Sequence, residues 1–262
     1  MPSGDDPIKV GAMLDVRAYL DRIGYSGSMD ATAENLRELH RAHLLAVPFE
    51  NLDISLGRKI VVDEEAILRK IAELRRGGFC YELNGAFAAL LRALGFQVTL
   101  LSARVARSDG GEGPEFDHLT LRVDLEEPWL ADVGFGDSFL EPLRLEAETE
   151  QPDPAGTFRL VEDAGRWYMQ KRGSDGNWMA QYSFSLQSRC LEEFAGMCHV
   201  HQTSPKSSFT QKRICSRATP EGRITLSEMK LIVTSSGKGQ ETTIGSEEER
   251  QRILQREFGI RL

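Results

Sequence analysis

The residues best suited to chemistry lie in Arg75-Arg76-Gly77-Gly78-Phe79-Cys80-Tyr81-Glu82-Leu83-Asn84. One helical pattern ends at the arginine pair and another begins at the cysteine, which predicts a thiol at a helix N-terminus with two glycines freeing the backbone for a sharp turn. Peptide dipoles and unbonded N–H groups there favour an anion, so the thiol is expected to shift toward its nucleophilic thiolate, with donors ready for a developing oxyanion. Two later residues are suited to serve it: His118, on an alternating run over 116–124, and Asp132, just ahead of Gly134-Phe135-Gly136. If the hairpin between them turns about Leu125, the two stand opposite each other with ~5 Å between Cβ atoms. The carboxylate would then accept the imidazole Nδ1–H and leave Nε2 to take a proton from a thiol. A loop of even length would place them on neighbouring pairs instead.

Each of these residues also has a structural reading. An unpaired cysteine is often plain core, a histidine on a polar strand face is often solvated, and an aspartate before Gly-Phe-Gly can simply shape a turn. Cys190, Cys198, His199 and His201 match no familiar zinc spacing, so no metal site is expected. His40 and His43, three apart on a helix, read as surface or core-edge residues. Gly134 and Gly136 have no helix after them and make no dinucleotide fingerprint. The loop around Lys206 has hydroxyls and backbone donors suited to phosphate, or is only a solvated connection.

These side chains need elements to hold them. Apolar spacing predicts helices over 12–23 and over 32–45, the second capped by Thr32. A further helix with Ile67, Leu68, Ile71 and Leu74 on one face leads to the glycine pair, and Cys80 then opens a helix that Gly95 ends. From Phe96 the period changes to two. Runs over 96–101, 116–124, 129–133, 157–160, 166–170 and 179–184 predict a small barrel or strongly twisted sheet, with 147–156 as a surface loop. A helix over 188–199, a polar loop over 202–208, a hairpin of 208–218 with 223–233, and a closing helix with a Ser246/Glu249 capping box complete the chain. The fold class is therefore α+β: a helical unit over 1–95, a β-barrel unit over 96–187 and an α/β unit over 188–262.

Composition limits the possible partners. A formal charge of −8 over 262 residues argues against nucleic acid or an anionic membrane surface. With no long apolar run, no signal-like start and only four cysteines, the chain reads as cytoplasmic with reduced thiols.

Five motifs in order carry a resemblance: Val47-Pro48-Phe49-Glu50-Asn51-Leu52, Arg76 to Asn84, Asp117-His118-Leu119-Thr120-Leu121, Asp132-Val133-Gly134-Phe135-Gly136, and Thr203-Ser204-Pro205-Lys206-Ser207-Ser208-Phe209. The sequence resembles the arylamine N-acetyltransferases over nearly its whole length. That resemblance implies an N-terminal helical bundle, a β-barrel domain and a C-terminal α/β lid, with a papain-like Cys80-His118-Asp132 triad. It implies ping-pong transfer of acetyl from acetyl-coenzyme A, through a Cys80 thioester, to an arylamine, arylhydrazine or N-hydroxyarylamine, a reaction of xenobiotic metabolism. By the same analogy Pro114, Glu115, Lys206 and Ser207 contact coenzyme A, and Phe49, Phe135 and Asp117 lie at the acceptor. Asp117 is more acidic than the family pattern, which implies a shift toward polar or cationic amines. A chain ending at Leu262 without a further tail implies an open cofactor entrance.

Three alternatives stay open at this stage: a thiol hydrolase of the papain or transglutaminase type, an amide synthase closing a macrocycle on a carrier-bound chain, and a silent binding protein that keeps the fold.

Overall fold

The computed structural model describes residues 15–235 and 237–262. The first predicted helix is α1 (Val16–Ile23), and Leu14 lies outside the described residues. α2 (Ala33–Ala46) begins where Thr32 predicts, the Thr32 hydroxyl accepting from the Asn35 N–H at 3.2 Å. A short strand β1 (Phe49–Glu50) and the single turn α3 (Leu52–Ser55) follow.

The next helix departs from the pattern. α4 (Glu64–Leu68) widens into a π-helical turn over Arg69–Glu73. The wider turn rotates later residues off the apolar face, so Leu74 is 59% exposed, and Arg75 takes a left-handed φ of 51°. The turn is thus made by Arg75 rather than by the glycine pair. Those glycines serve close approach: a Cβ at Gly77 would fall on the Pro48 carbonyl oxygen, and one at Gly78 would lie 2.6 Å from Glu82 Cβ. α5 (Cys80–Ala93) then starts at the cysteine itself.

Eight antiparallel strands come next: β2 (Gln97–Val105), β3 (His118–Asp124), β4 (Pro128–Ala131), β5 (Leu143–Arg144), β6 (Gln151–Asp153), β7 (Gly156–Asp163), β8 (Arg166–Arg172) and β9 (Trp178–Arg189). They run in the order β5-β4-β3-β2-β9-β8-β7-β6. The two edges meet where the Gln151 side chain bonds both the N–H (2.7 Å) and the C=O (3.0 Å) of Arg144, which nearly closes a barrel. The stretch 147–156 is therefore not just a surface loop. It contains β6, whose Asp153 carboxylate accepts from the Leu140 and Glu141 N–H groups.

The C-terminal part holds α6 (Ala195–Thr203), α7 (Ser208–Gln211), β10 (Ile214–Thr219), β11 (Gly222–Ser227), β12 (Lys230–Ser235), β13 (Lys238–Thr243) and α8 (Glu247–Phe258). The helix expected over 188–199 starts later and runs to Thr203, because β9 keeps pairing with β2 as far as Arg189. The run 223–233 is two strands, turned at Glu228 with a φ of 49°. The second sheet has the order β1-β10-β11-β12-β13, so its first strand comes from the N-terminal part of the chain. α8 packs on it through Ile253, Leu254 and Phe258.

Among the described residues three apolar cores result. Leu119, Leu121 and Val123 of β3 join Leu83, Phe87 and Leu90 of α5 in the largest. Leu101, Leu130, Phe139, Phe158 and Tyr182 fill the barrel. Both faces of β3 are therefore buried, and the face carrying His118 and Thr120 points into the barrel rather than to water. Among the described residues no helix is long and apolar enough to cross a membrane.

Candidate active site

The segment ahead of Cys80 is held by charge. Arg76 pairs with Glu50 at 2.7 Å and Asp53 at 3.0 Å, and Lys70 pairs with Asp53 and Glu82, each at 2.7 Å. Glu82 also accepts from the Phe79 N–H at 3.1 Å, capping α5 just before the cysteine. Burial pushes the Glu82 carboxyl up to about 7 against the pull of Lys70, and burial of these groups in one network fixes the route of residues 76–79.

Cys80 is 4% exposed at the start of α5. The helix terminus is where the sequence predicts it, but burial works against its expected effect on the thiol. Burial pushes the thiol well up; the Leu119 backbone hydrogen bond opposes this, while the Asp132 and Asp117 carboxylates add to it. A dipole contribution of about 0.3–1 kcal/mol does not offset full desolvation of a thiolate. Burial thus favours the protonated sulfur, against the pull of the helix terminus.

His118 and Asp132 meet, by a different register and a different nitrogen from those expected. β3 and β4 pair Leu121 with Ala131 and Val123 with Trp129, so the hairpin is centred on Glu126 rather than Leu125. Asp132 thus continues opposite Thr120, and His118 is its diagonal neighbour on the same face. His118 Nε2 lies 2.7 Å from Asp132 Oδ2, with both residues buried. Because a carboxylate only accepts, Nε2 carries the hydrogen, and Nδ1 is the ring atom left for a proton from a thiol. The sequence-based assignment of the two nitrogens is reversed.

Asp132 is firmly set. Its Oδ1 accepts from Asn84 Nδ2 at 2.9 Å and from the Gly134 N–H at 3.0 Å. Burial pushes this carboxyl up, but His118 and these donors outweigh it and hold it below the usual range. Asn84 sits one helical turn after Cys80, and it also donates to the Leu119 carbonyl (2.6 Å) and accepts from the Val133 N–H (2.9 Å). Gly134 passes so close that a Cβ there would lie 2.8 Å from Cys80 Cα. The cysteine at the start of α5, the histidine at the start of β3 and the aspartate at the bend that follows β4 thereby come into one region.

His40 and His43, read as surface or core-edge residues, are fully buried. His40 Nε2 accepts from the Asp132 N–H at 3.0 Å. The wider apolar face of α2 hid this, since a histidine at helical spacing among leucines looks the same whether it lies at the edge or inside. The motif quoted around Cys80 contains Asn84, and its position four residues on was the available signal for its role.

The remaining predicted residues are placed as follows. Phe135 stacks edge-on to His118 at 5.2 Å between ring centroids, and Tyr182 lies at the same distance on another side. Both rings line a cavity of about 600 Å³ at the barrel mouth, together with Val105, Met179 and Gln181. Phe49 lies against Phe209 at 6.1 Å and close to Gly136. The Asp117 carboxylate is 3.5 Å from His201 Nε2 and packs on Gly113. Pro114 is exposed, while Glu115 pairs with Arg104 at 2.9 Å and Arg189 at 3.3 Å. Lys206 is exposed, and Ser207 caps α7, its hydroxyl accepting from the Phe209 N–H at 3.2 Å. Among the described residues no group of three or more His, Cys, Asp or Glu side chains forms a metal-holding cluster.

Known proteins share this arrangement of elements. A family model described as N-acetyltransferase matches residues 32–262. The arylamine N-acetyltransferase / N-hydroxyarylamine O-acetyltransferase of Salmonella typhimurium is 37% identical over 251 residues, covering 94% of this chain and 88% of that protein. The solved arylamine N-acetyltransferase of the same organism superposes with a TM-score of 0.88 at 36% identity, over 94% of this chain and 90% of that one. The Mycobacterium marinum arylamine N-acetyltransferase in complex with CoA gives 0.87 at 32% identity, over 94% and 93%. The chain belongs to the arylamine N-acetyltransferase family of enzymes.

Proposed function

We propose that this enzyme transfers acetyl from acetyl-coenzyme A to the nitrogen of an arylamine, arylhydrazine or N-hydroxyarylamine in two half-reactions through Cys80. The observation that carries the reading is the buried 2.7 Å contact of His118 with Asp132, in the segment whose Gly134 passes against Cys80. In the first half, His118 Nδ1 takes the thiol proton as sulfur bonds to the acetyl carbon. The carbon–sulfur bond to coenzyme A then breaks, and the departing thiolate receives that proton. In the second half, the neutral amine attacks the thioester carbon, the Cys80 sulfur leaves, and the amine proton returns through His118 to sulfur. Asp132 orients the ring and stabilises the imidazolium between these transfers.

The reading divides the work among three stretches: 1–95 carries Cys80, 96–187 carries His118 and Asp132, and 188–262 carries Lys206 and Ser207. The cavity bounded by Phe135 and Tyr182 suits a flat aromatic acceptor, with Phe49 across Gly136. Exposed Lys206 is a point charge available to a phosphate, and Ser207 adds a hydroxyl. Pro114 and Glu115 complete the donor contacts on this reading. The Asp117 carboxylate, already facing His201, favours an acceptor with a polar or cationic substituent.

Intact-protein mass tests the reading. Mixed with acetyl-coenzyme A and no amine, the wild type is expected to gain one acetyl group (~42 Da) that an added arylamine discharges, and Cys80→Ala to gain none. Substantial turnover by Cys80→Ala would sink a covalent mechanism. Hydrolysis of other thioesters without an adduct would favour the hydrolase.

A further inference from the structure

His40 is not among the residues given a role in the transfer. Its ring is fully buried, stacked on Phe139 at 5.7 Å and edge-on to Phe87 at 5.8 Å. Nδ1 lies 2.8 Å from the Leu140 carbonyl oxygen, and Nε2 lies 3.0 Å from the Asp132 backbone nitrogen. A carbonyl only accepts, so Nδ1 bears the hydrogen. A backbone N–H only donates, so Nε2 bears none. The two contacts leave a single state, the neutral Nδ1–H tautomer. Burial favours the same state by lowering the imidazole pKa, although the Leu140 carbonyl and the Asp132 and Asp153 carboxylates oppose it.

The ring therefore joins the two ends of residues 132–140. That segment contains Asp132, which bonds His118, then Gly134, which bonds Asp132 and passes Cys80, then Phe135, which packs on His118. One end is anchored to α2 through a donor and the other through an acceptor. We propose that His40 is a positioning residue for acetyl transfer: its neutral ring clamps both ends of the 132–140 segment and thereby sets the Asp132 carboxylate and the His118 ring. The proposal rests on the Cys80 reading above. Protonation of His40 would aim an N–H at the Asp132 N–H and break the clamp. Loss of the Nε2 acceptor alone would free the Asp132 backbone while leaving the Leu140 end tied.

Two variants separate these contacts. His40→Gln places an amide oxygen near the Nε2 position and can still accept from Asp132. His40→Asn keeps a donor near the Nδ1 position and leaves the Asp132 N–H without a partner. The experiment is single-turnover acetylation of Cys80, read by intact mass against time across a pH series, with thermal midpoints measured in parallel. The expected result is a 10- to 100-fold slower acetylation in His40→Asn, the range typical of lost outer-shell support. A changed pH profile is expected with it, together with substantial rescue in His40→Gln at similar thermal midpoints. Equal acetylation rates and unchanged pH profiles in both variants, whatever their midpoints, would overturn the proposal. Failure of the wild type itself to acetylate would instead overturn the Cys80 reading.

A second measurement does not depend on the variants folding. In a long-range ¹H–¹⁵N spectrum of the wild type labelled at histidine, the His40 ring should stay neutral with Nδ1 protonated between about pH 5.5 and 8. An imidazolium or an Nε2–H tautomer at His40 within that range would overturn the clamp.

Discussion

Asp132 illustrates how much depends on which atom faces which. Its Oδ2 takes the His118 Nε2–H, while Oδ1 is occupied by Asn84 and Gly134. An asparagine there keeps the shape but can turn its amide N–H toward Nε2, which forces the hydrogen to Nδ1 and removes the acceptor that Cys80 needs. Asp132→Asn is therefore expected to slow Cys80 acetylation by on the order of 10³–10⁴ with little change in thermal midpoint. Single-turnover mass kinetics beside a melting curve checks this, and unchanged acetylation would mean that another carboxylate serves His118. Spacing was enough to put His118 and Asp132 on one face of their hairpin for any centre that falls on a residue, as it does on Glu126, but it held nothing that relates either of them to Cys80. It was not enough to choose the ring nitrogen, which depends on χ angles that strand pairing does not fix. Nor could it reveal that burial opposes ionisation of the thiol, since burial is a property of the closed core rather than of the Gly-Gly-Phe-Cys string.

At the scale of elements, α2 combines apolar packing with two buried histidines. His43 has Nδ1 3.0 Å from the Tyr19 hydroxyl, and burial, with His40 and Arg22 nearby, lowers its pKa well below the ordinary 6.5. His40 and His201 are lowered as well, mainly by burial. A base with a depressed folded pKa binds fewer protons folded than unfolded once the pH drops below the unfolded value. Its stabilising share is thus present above about pH 6.5 and is lost as the pH falls from there, at up to about 1.4 kcal/mol per pH unit for each group. Glu82 acts in the opposite sense between about 7 and the usual carboxyl range near 4.5, because its raised folded pKa takes up a proton first. Three groups against one predicts a net fall in stability from pH 6.5 toward pH 5. His43→Asn should be less stable than the wild type at pH 8 yet fall less steeply over that range, by up to one proton's share, in urea titrations at each pH. Equal slopes would show that His43 does not titrate below its ordinary value. The helical period was legible here and the depth of the histidines was not. The π-helical turn after α4 escaped for a similar reason, since residues 64–74 fit an α-helical stripe until Leu74 is found outside.

For the whole molecule, the question is how the C-terminal sheet is tied to the N-terminal part of the chain. β1 contributes its first strand, Phe49 pairing with Ser216 and Glu50 with Cys215. Arg217 reaches back to the Leu45 and Glu257 carbonyls, tying α2 to the end of α8. The most concentrated tie is Asn51. Its Nδ2 donates to the Phe209 carbonyl at 3.0 Å and the Lys212 carbonyl at 2.7 Å, and its Oδ1 accepts from the Ile214 N–H at 2.8 Å. One side chain thus satisfies three backbone groups at the foot of the segment that carries Lys206 and Ser207. Asn51→Ala leaves these part-buried groups to water or to no partner, at about 0.5–1.5 kcal/mol for each bond lost. Since Asn51 lies outside the Cys80-His118-Asp132 cluster, the chemistry on bound donor should change little. The expected outcome is a KM for acetyl-coenzyme A raised several-fold with kcat nearly kept, and faster amide hydrogen exchange confined to residues 204–214. A fall in kcat at unchanged KM would instead mean that Asn51 acts through the Glu50–Arg76 network beside it, which fixes the approach to Cys80.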